Sequence, residues 1–475
     1  TILAEAVKDV SEHLNLFEGR DFYAHVLTDE GMLNGSALPY MNHLDLTTSP
    51  GYPWAKDRKN KGKNDYLEVD DQGHIKFRGE KGDKLYQAFL EREKEARELR
   101  RVKSIWVDCL KDEILPIKKI KESRTRIFIN GPLDFTLLAR KYCLGFVAFL
   151  MKNRIKNGMS PGFIESQVDA ALLYRFLEPY YQNIICGDYK HWDKHLHAQL
   201  IFAAEQVFQN FYNDEHANIR HIIFHELVYT YTLCEDVEYI TDRANPSGNP
   251  YTTALNNVAQ AILLRYVWIV LFRKLGLLHL VPMQAMQKLT FTNLYGDDHI
   301  IGVHQSIAKY WNQQVLKDEL ALLGVHYSDV YKGDDIVPFY TLDQALYLKR
   351  KFKVNGSEVY CIRELEDIMS SLNWIRKSGP VNEMLSMSIT MACLELFKHG
   401  EEVYEEKTTL IQQALKDGGR SCTLPAYKCL CDMWKSKYHE IGSSIEFELA
   451  GIQDVLSPDE SSRMGGSIPS LVVVK

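Results

Sequence analysis

The sequence is poor in long uninterrupted apolar runs. Its most apolar stretch, 261–272, is interrupted by Arg265 and falls short of the roughly 20 residues a span needs. It also lacks a signal peptide, since residues 1–20 mix charges with apolar side chains. A soluble, intracellular chain is the expectation, and Thr1 in place of an initiator methionine points to an N-terminus made by proteolysis or by design. Cysteine is sparse: nine residues, an odd number, with only Cys429 and Cys431 close together and not at zinc-knuckle spacing. Free, mostly buried thiols in a reducing compartment are predicted, not a disulfide framework. There is no Walker phosphate loop, no Rossmann glycine fingerprint and no internal repeat. Positive charge is in deficit too: the net charge of -7 argues against a general nucleic-acid binder unless the cations are gathered in one place.

They are gathered. Residues 101–126 carry Arg101, Lys103, Lys111, Lys118, Lys119, Lys121, Arg124 and Arg126, and a second basic stretch spans 56–63. In 111–126 the charges interleave with Ile114, Leu115, Ile117, Ile120, Ile127 and Ile129. That pattern predicts a backbone anchored by apolar side chains while a row of cations projects toward phosphates.

The acidic candidates lie further on. In 290–303 apolar and aromatic residues flank Gly296-Asp297, which predicts a tight β-hairpin presenting Asp297 and Asp298 at its tip. Adjacent like charges suit a divalent metal better than a solvated loop. Residues 183–188 read as a buried strand ending in Asp188, the natural partner for Asp297 where carboxylates from separate segments must converge. Asp193 follows, either capping the next helix or contacting a substrate group beside the metals. A helix is predicted over 194–212 and a long apolar one over 251–275, with another near 306–323. On the long helix Thr252 and Asn256 share a face, just after Ser247 and Gly248 in a turn-rich linker. Capping and loop hydrogen bonds could account for Ser247 and Thr252, less easily for Asn256. A second Gly-Asp-Asp at 333–335 reads as a surface turn. His221 and His225, four apart, read as a solvated helix face. Beyond Glu364 the chain reads mainly helical, with a mobile tail expected after Asp459, so the class is α+β.

Taken in order, these segments resemble the motif series of picornavirus-like RNA-dependent RNA polymerases, over roughly residues 48–350. Residues 48–54, with Thr48 and Ser49, resemble the template-entry loop. Residues 111–126 resemble the basic fingers motif, with Lys111, Lys119, Arg124 and Arg126 toward the nucleotide. Asp188 to Asp193 resembles motif A, 247–256 motif B and 295–298 motif C. Residues 328–332 resemble the motif D loop with Lys332, and 347–350, with Lys349 and Arg350, the primer grip. Leu115 stands where many relatives have an arginine, whose role then falls to Lys118, Lys119 or Arg124 or is missing. The run 131–136 leans toward the insect iflavirus and dicistrovirus branch.

The resemblance implies a closed right hand: fingers over 1–145, palm over 146–227 and 245–352, a fingers insertion at 228–244, and a helical thumb with the tail over 353–475. It implies template-directed RNA synthesis from ribonucleoside triphosphates, with Asp188, Asp297 and Asp298 holding two Mg²⁺ ions that Mn²⁺ can replace. Lys332 would be general acid, and Asp193, Ser247 and Asn256 would sense the ribose. The implied partners are template RNA, a primer strand and a genome-linked protein primer, in host-cell cytoplasm at replication complexes held to membranes by other proteins. A reverse transcriptase and a two-metal nuclease or phosphohydrolase are the rival readings.

Overall fold

The computed structural model describes residues 1–56, 59–164, 168–331, 335–356, 358–375 and 379–436. Lys332, most of the second Gly-Asp-Asp and the expected tail after Asp459 lie outside the described residues. The chain divides into two compact units, one formed by Thr1–Phe163 with Tyr180–Leu348, the other by Ile164–Pro179 with Lys349–Lys475.

The first unit is built around the helix Thr252–Lys274, which packs against the helices Ile2–Asn15 and Ala198–Tyr212. This helix is long and apolar enough to span a membrane by composition, but it is wrapped by protein and forms the core, with Leu255, Val258, Ile262, Trp268 and Phe272 buried. A three-stranded antiparallel sheet lies beside it, in the order Ile184–Ile185, Asp298–Val303, Thr290–Tyr295. The two longer strands form the predicted hairpin. Gly296 sits first in its two-residue turn with φ +68, a left-handed conformation that costs glycine nothing and that suits a turn of the II′ class. A separate four-stranded sheet runs Ile127–Asn130, Ile105–Leu110, Tyr231–Cys234, Val237–Ile240, antiparallel except for the middle pair, which is parallel.

The second unit has a β-hairpin, Lys351–Asn355 with Glu358–Ile362, and the helices Val168–Leu177, Leu365–Ser371, Val381–Leu396 and Glu401–Asp417. Its own core gathers Tyr360, Ile368, Ile389, Leu396, Phe397, Tyr404, Ile411 and Trp434. The mixed α+β class is as the sequence predicts.

Several local expectations are corrected. The strand over 183–188 is broken at Cys186: Ile184–Ile185 pairs with the hairpin, and Gly187–Tyr189 turns to pair with Tyr327–Asp329. The helix expected over 194–212 begins only at Ala198, after a separate turn Trp192–His195, and His197 caps it. The helix expected over 306–323 contracts to Gln313–Ala321, preceded by the 3-10 turn Gln305–Ile307. The largest correction concerns the basic segment. Ile114, Ile117 and Ile120 are 62, 70 and 59% exposed, so they anchor nothing within their unit. The helix Ile117–Lys121 has five residues, too few to bury a face. Anchorage comes instead from the backbone ladder, which continues one step past the strands as the Lys111 N–H donates to the Arg126 carbonyl at 2.9 Å. All nine cysteines are free, four buried, four half-buried and Cys429 exposed, fewer buried than expected.

Candidate active site

Antiparallel register sets the geometry of the carboxylates. Ile185 faces Ile301 and Ile184 faces Gly302, and although the pairing ends there, the next residues run on beside the hairpin, so that the Asp188 carboxylate acts on Asp297 at its tip. Where the strands part, a side chain replaces the ladder bond: the Gly187 N–H donates to Nε2 of buried His299 at 3.3 Å. The Tyr327 hydroxyl lies 2.8 Å from the same nitrogen. Burial pushes the His299 imidazole down to about 4, so it is neutral and able to accept.

The hairpin turn is held from behind by the long helix. The Gln260 amide donates to the Asp297 carbonyl at 3.0 Å, and the Asn257 side-chain oxygen accepts from the Gly296 N–H. One turn earlier on the same helix, the Asn256 amide donates to Asp193 Oδ1 at 2.7 Å. Asp193 therefore lies inside the turn Trp192–His195 with its carboxylate engaged by Asn256, and the N-cap alternative is set aside.

The electrostatics fit a cation. Asp297 is exposed at its turn yet surrounded by protein mass. Lost hydration first, then Asp193 and Asp188, push its carboxyl above the ordinary range, while Arg126 pulls it down. Asp193 is also raised, by burial against the opposing pull of Asn256 and Arg126. Crowded carboxylates with oxygen donors only are what a hard divalent ion neutralises. Among the described residues no three His, Cys, Asp or Glu side chains form a ready-made metal cage. Asp298 begins its strand within electrostatic reach of Tyr347.

Arg126 is the cation the structure brings into this field. Its exposed ion pair with Glu113, at 3.4 Å, is of the kind worth little in water. Lys111 and Lys119 are exposed, and Arg124 pairs with Glu122 at 3.1 Å. Leu115 is half-buried. Ser247 accepts from the Ile129 N–H at 3.3 Å. Gly248 bridges to Asn130 so closely that a Cβ would lie 2.1 Å from the Ile129 carbonyl. The Thr252 hydroxyl is engaged with the carbonyls of Pro246, Ser247 and Asn249. Loop hydrogen bonds, not capping, thus account for Thr252, and Asn256 donates to the Asp193 carboxylate. Lys349 and Arg350 belong to the second unit, where Arg350 makes a two-pronged bond to Glu395 at 2.8 and 3.0 Å. His221 is bonded to Glu205 at 3.1 Å, and no third metal ligand joins it and His225 among the described residues.

Thr48 and Ser49 sit in a loop held by two buried groups. The Lys63 ammonium donates to the carbonyls of Asp45 (2.8 Å) and Thr48 (3.1 Å), and also to the Thr48 hydroxyl. The Trp54 indole N–H donates to Asp134 at 2.8 Å. Lys63 is not part of a solvated basic face: it is 3% exposed, and burial lowers its pKa from 10.5 to about 8. Between those values the unfolded chain holds the extra proton, so folding strengthens as pH rises through the window. Wild type should gain about 3 kcal/mol relative to Lys63→Met between about pH 8 and 10.5, read by urea unfolding at the two ends. Parallel curves would show that Lys63 is not desolvated.

Sequence reading missed Gln260, Asn257, His299, Asn245 and Asn249. One signal was available: Thr252, Asn256 and Gln260 form a polar stripe at four-residue spacing along an apolar helix. Nothing local marks His299, because its partners are brought in by strand pairing.

A sequence profile for viral RNA-dependent RNA polymerase matches residues 5–415. The chain is 30% identical over 409 residues to the replicase polyprotein of Acute bee paralysis virus (strain Rothamsted), covering 84% of this chain and 21% of the polyprotein. It is 29% identical over 417 residues to that of Cricket paralysis virus, covering 83% and 23%. It thus spans about a fifth of the length of these polyproteins. Among solved structures, the Sicinivirus 3Dpol RNA dependent RNA polymerase superposes with a TM-score of 0.74 at 18% identity, over 92% of this chain and 85% of that one, so the two share the right-hand polymerase fold. Carboxylates at a hairpin tip, an asparagine-held acid beside them and a profile matched over residues 5–415 agree, and the chain belongs to the viral RNA-dependent RNA polymerase family.

Proposed function

We propose that this chain carries out template-directed RNA synthesis from ribonucleoside triphosphates for replication of a viral RNA genome. The observation that carries the reading is the Asn256–Asp193 hydrogen bond beside Asp297. A nuclease or phosphohydrolase needs the carboxylates but no sugar-sensing pair, and a reverse transcriptase favours bulk at that place.

Asp188 and Asp297, assisted by Asp298, would hold two divalent ions, Mg²⁺ with Mn²⁺ as substitute, which supply Lewis-acid activation of a primer hydroxyl and charge neutralisation at the leaving pyrophosphate. Arg126 and Lys119 add positive charge at the triphosphate. Asp193 accepts a hydrogen bond from the ribose 2′-hydroxyl, with Asn256 fixing its orientation. A substrate lacking that hydroxyl leaves a polar group unpaired in the site, the situation that gives strong discrimination. Lys332 is assigned as general acid for pyrophosphate on the family resemblance. Template and primer RNA are the partners, with other products of the same polyprotein and a protein primer in a cytoplasmic, membrane-associated assembly.

The test uses primed heteropolymeric RNA, Mg²⁺ and either ribo- or deoxyribonucleotides. Wild type is expected to extend with ribonucleotides. Asn256→Ala should cut the ribose preference by roughly 10- to 100-fold, the worth of a hydrogen bond to a charged group. Template degradation without extension would overturn the reading in favour of a nuclease, and efficient deoxyribonucleotide extension by wild type in favour of a reverse transcriptase.

A further inference from the structure

A primary amide can face Asp193 with either end, and only its NH₂ end is attractive to a carboxylate. What fixes Asn256 is a run of buried amides. The Tyr251 backbone N–H donates to Asn249 Oδ1 at 2.9 Å, and Asn249 Nδ2 donates to Asn245 Oδ1 at 2.6 Å. Asn245 Nδ2 donates to Asn256 Oδ1 at 2.8 Å, and Asn256 Nδ2 donates to Asp193 Oδ1 at 2.7 Å. The direction of the run is set by backbone groups whose polarity is invariant. Besides the Tyr251 N–H, the Pro246 carbonyl accepts from Asn249 Nδ2 at 3.0 Å and the Thr252 carbonyl from Asn245 Nδ2 at 3.2 Å. Reversing any one amide in the run would set oxygen against oxygen at one of its ends and N–H against N–H at the other. Asn245, Asn249 and Asn256 are all buried, so water cannot substitute for a lost partner. The Asn245 N–H also donates to the Asp193 carbonyl at 2.8 Å, joining the linker to the acid through the backbone.

We propose that Asn249 and Asn245 are positioning residues for sugar selection. They hold Asn256 with its NH₂ toward Asp193, so that one oxygen of this carboxylate is occupied and the other is presented as acceptor to a 2′-hydroxyl. The inference rests on the sugar-sensing role given above to Asp193 and Asn256. It extends the selectivity determinant to a residue, Asn249, that acts on the sugar only through three intermediaries, Asn245, Asn256 and Asp193.

Polarity and packing make opposite demands at position 249, which gives the test. Asn249→Asp keeps the shape but, ionised, can only accept, so it repels Asn245 Oδ1 and drives the run to reverse. Asn249→Ala removes atoms but leaves Asn245 anchored by the Thr252 carbonyl. The ratio of kcat/KM for ATP over 2′-dATP is measured on the full chain with primed RNA, on the alkaline side of neutrality, with thermal melts of every variant alongside. Asn249→Ala is expected to lower the ratio roughly five- to tenfold, the worth of one neutral hydrogen bond. Asn249→Asp should lower it further despite its matching shape, and Asn249→Ala/Asn256→Ala should match Asn256→Ala alone. A wild-type ratio for Asn249→Asp with a loss for Asn249→Ala would mean packing and overturn the proposal. So would independent, multiplying losses in the double variant, which decide the matter even if Asn249→Asp does not fold. If Asn256→Ala itself leaves the ratio unchanged, it is the underlying sugar-sensing assignment that falls.

Discussion

Asp297→Ala should abolish primer extension, lowering the single-nucleotide incorporation rate by about three orders of magnitude or more. Losing a metal-holding carboxylate forfeits several kcal/mol of transition-state stabilisation at about 1.4 kcal/mol per factor of ten. The fold should be indifferent, and the direction of the pKa shift says why. Asp297 is raised by lost hydration and by repulsion from Asp193 and Asp188, so its ionised form is an electrostatic burden at neutral pH. Removing it should leave the melting temperature of the divalent-free protein unchanged or slightly higher. Adding Mg²⁺ or Mn²⁺ should raise the wild-type melting temperature through binding to the native state, and raise that of Asp297→Ala much less. Equal stabilisation of both proteins would move the ion away from the hairpin. Undiminished synthesis by the variant would remove Asp297 from the chemistry.

Arg92→Met should be the most destabilising single change in the first unit, by about 3–5 kcal/mol, seen as a lower urea midpoint at unchanged slope. Arg92 is buried and binds Asp134 at 2.6 Å and Glu226 at 3.2 Å, both also buried. Methionine fills much of the volume but removes the cation the two buried carboxylates share, leaving Glu226 only the looser pairing with Arg101 at 3.8 Å and Asp134 only the Trp54 N–H, which is the costly way to break such a node. Neutralising them as well, in Arg92→Met/Asp134→Asn/Glu226→Gln, should recover part of the loss, because neither carboxylate stays charged and buried, while half-buried Arg101 gives up its pairing with Glu226. Asp134 also accepts from Trp54, so the single variant should loosen the loop bearing Thr48 and Ser49. Faster proteolysis there than in wild type would register it. A loss below about 1 kcal/mol, the range of exposed pairs, would show the node to be hydrated.

The parts of the site legible in sequence are those where chemistry and local pattern coincide. The hairpin could be read because its turn needs glycine at a positive φ and its strands need β-branched and aromatic residues, both local demands. The long helix could be read because it is largely apolar over more than twenty residues, and Asn256 because a polar side chain is out of place there. The basic segment was legible in charge but not in packing. Alternating isoleucines look the same whether they are buried or, as with Ile114, Ile117 and Ile120, exposed. Asp193 was ambiguous for a related reason: an acid before a helix is a good cap in general, and only the approach of Asn256 settles what it binds here.

By itself, then, the sequence determined which residues carry the charge and which segments are strand or helix, because side-chain chemistry and backbone preference act within a few residues. Tertiary structure alone decided their pairing. Antiparallel pairing of Ile184–Ile185 with the hairpin brought Asp188 within electrostatic reach of Asp297, a break at Cys186 let His299 accept from Gly187, and one helix came to hold Asp193 through Asn256 and the hairpin turn through Asn257 and Gln260. Those contacts join residues tens of positions apart, and no local propensity encodes the burial that makes each of them obligatory.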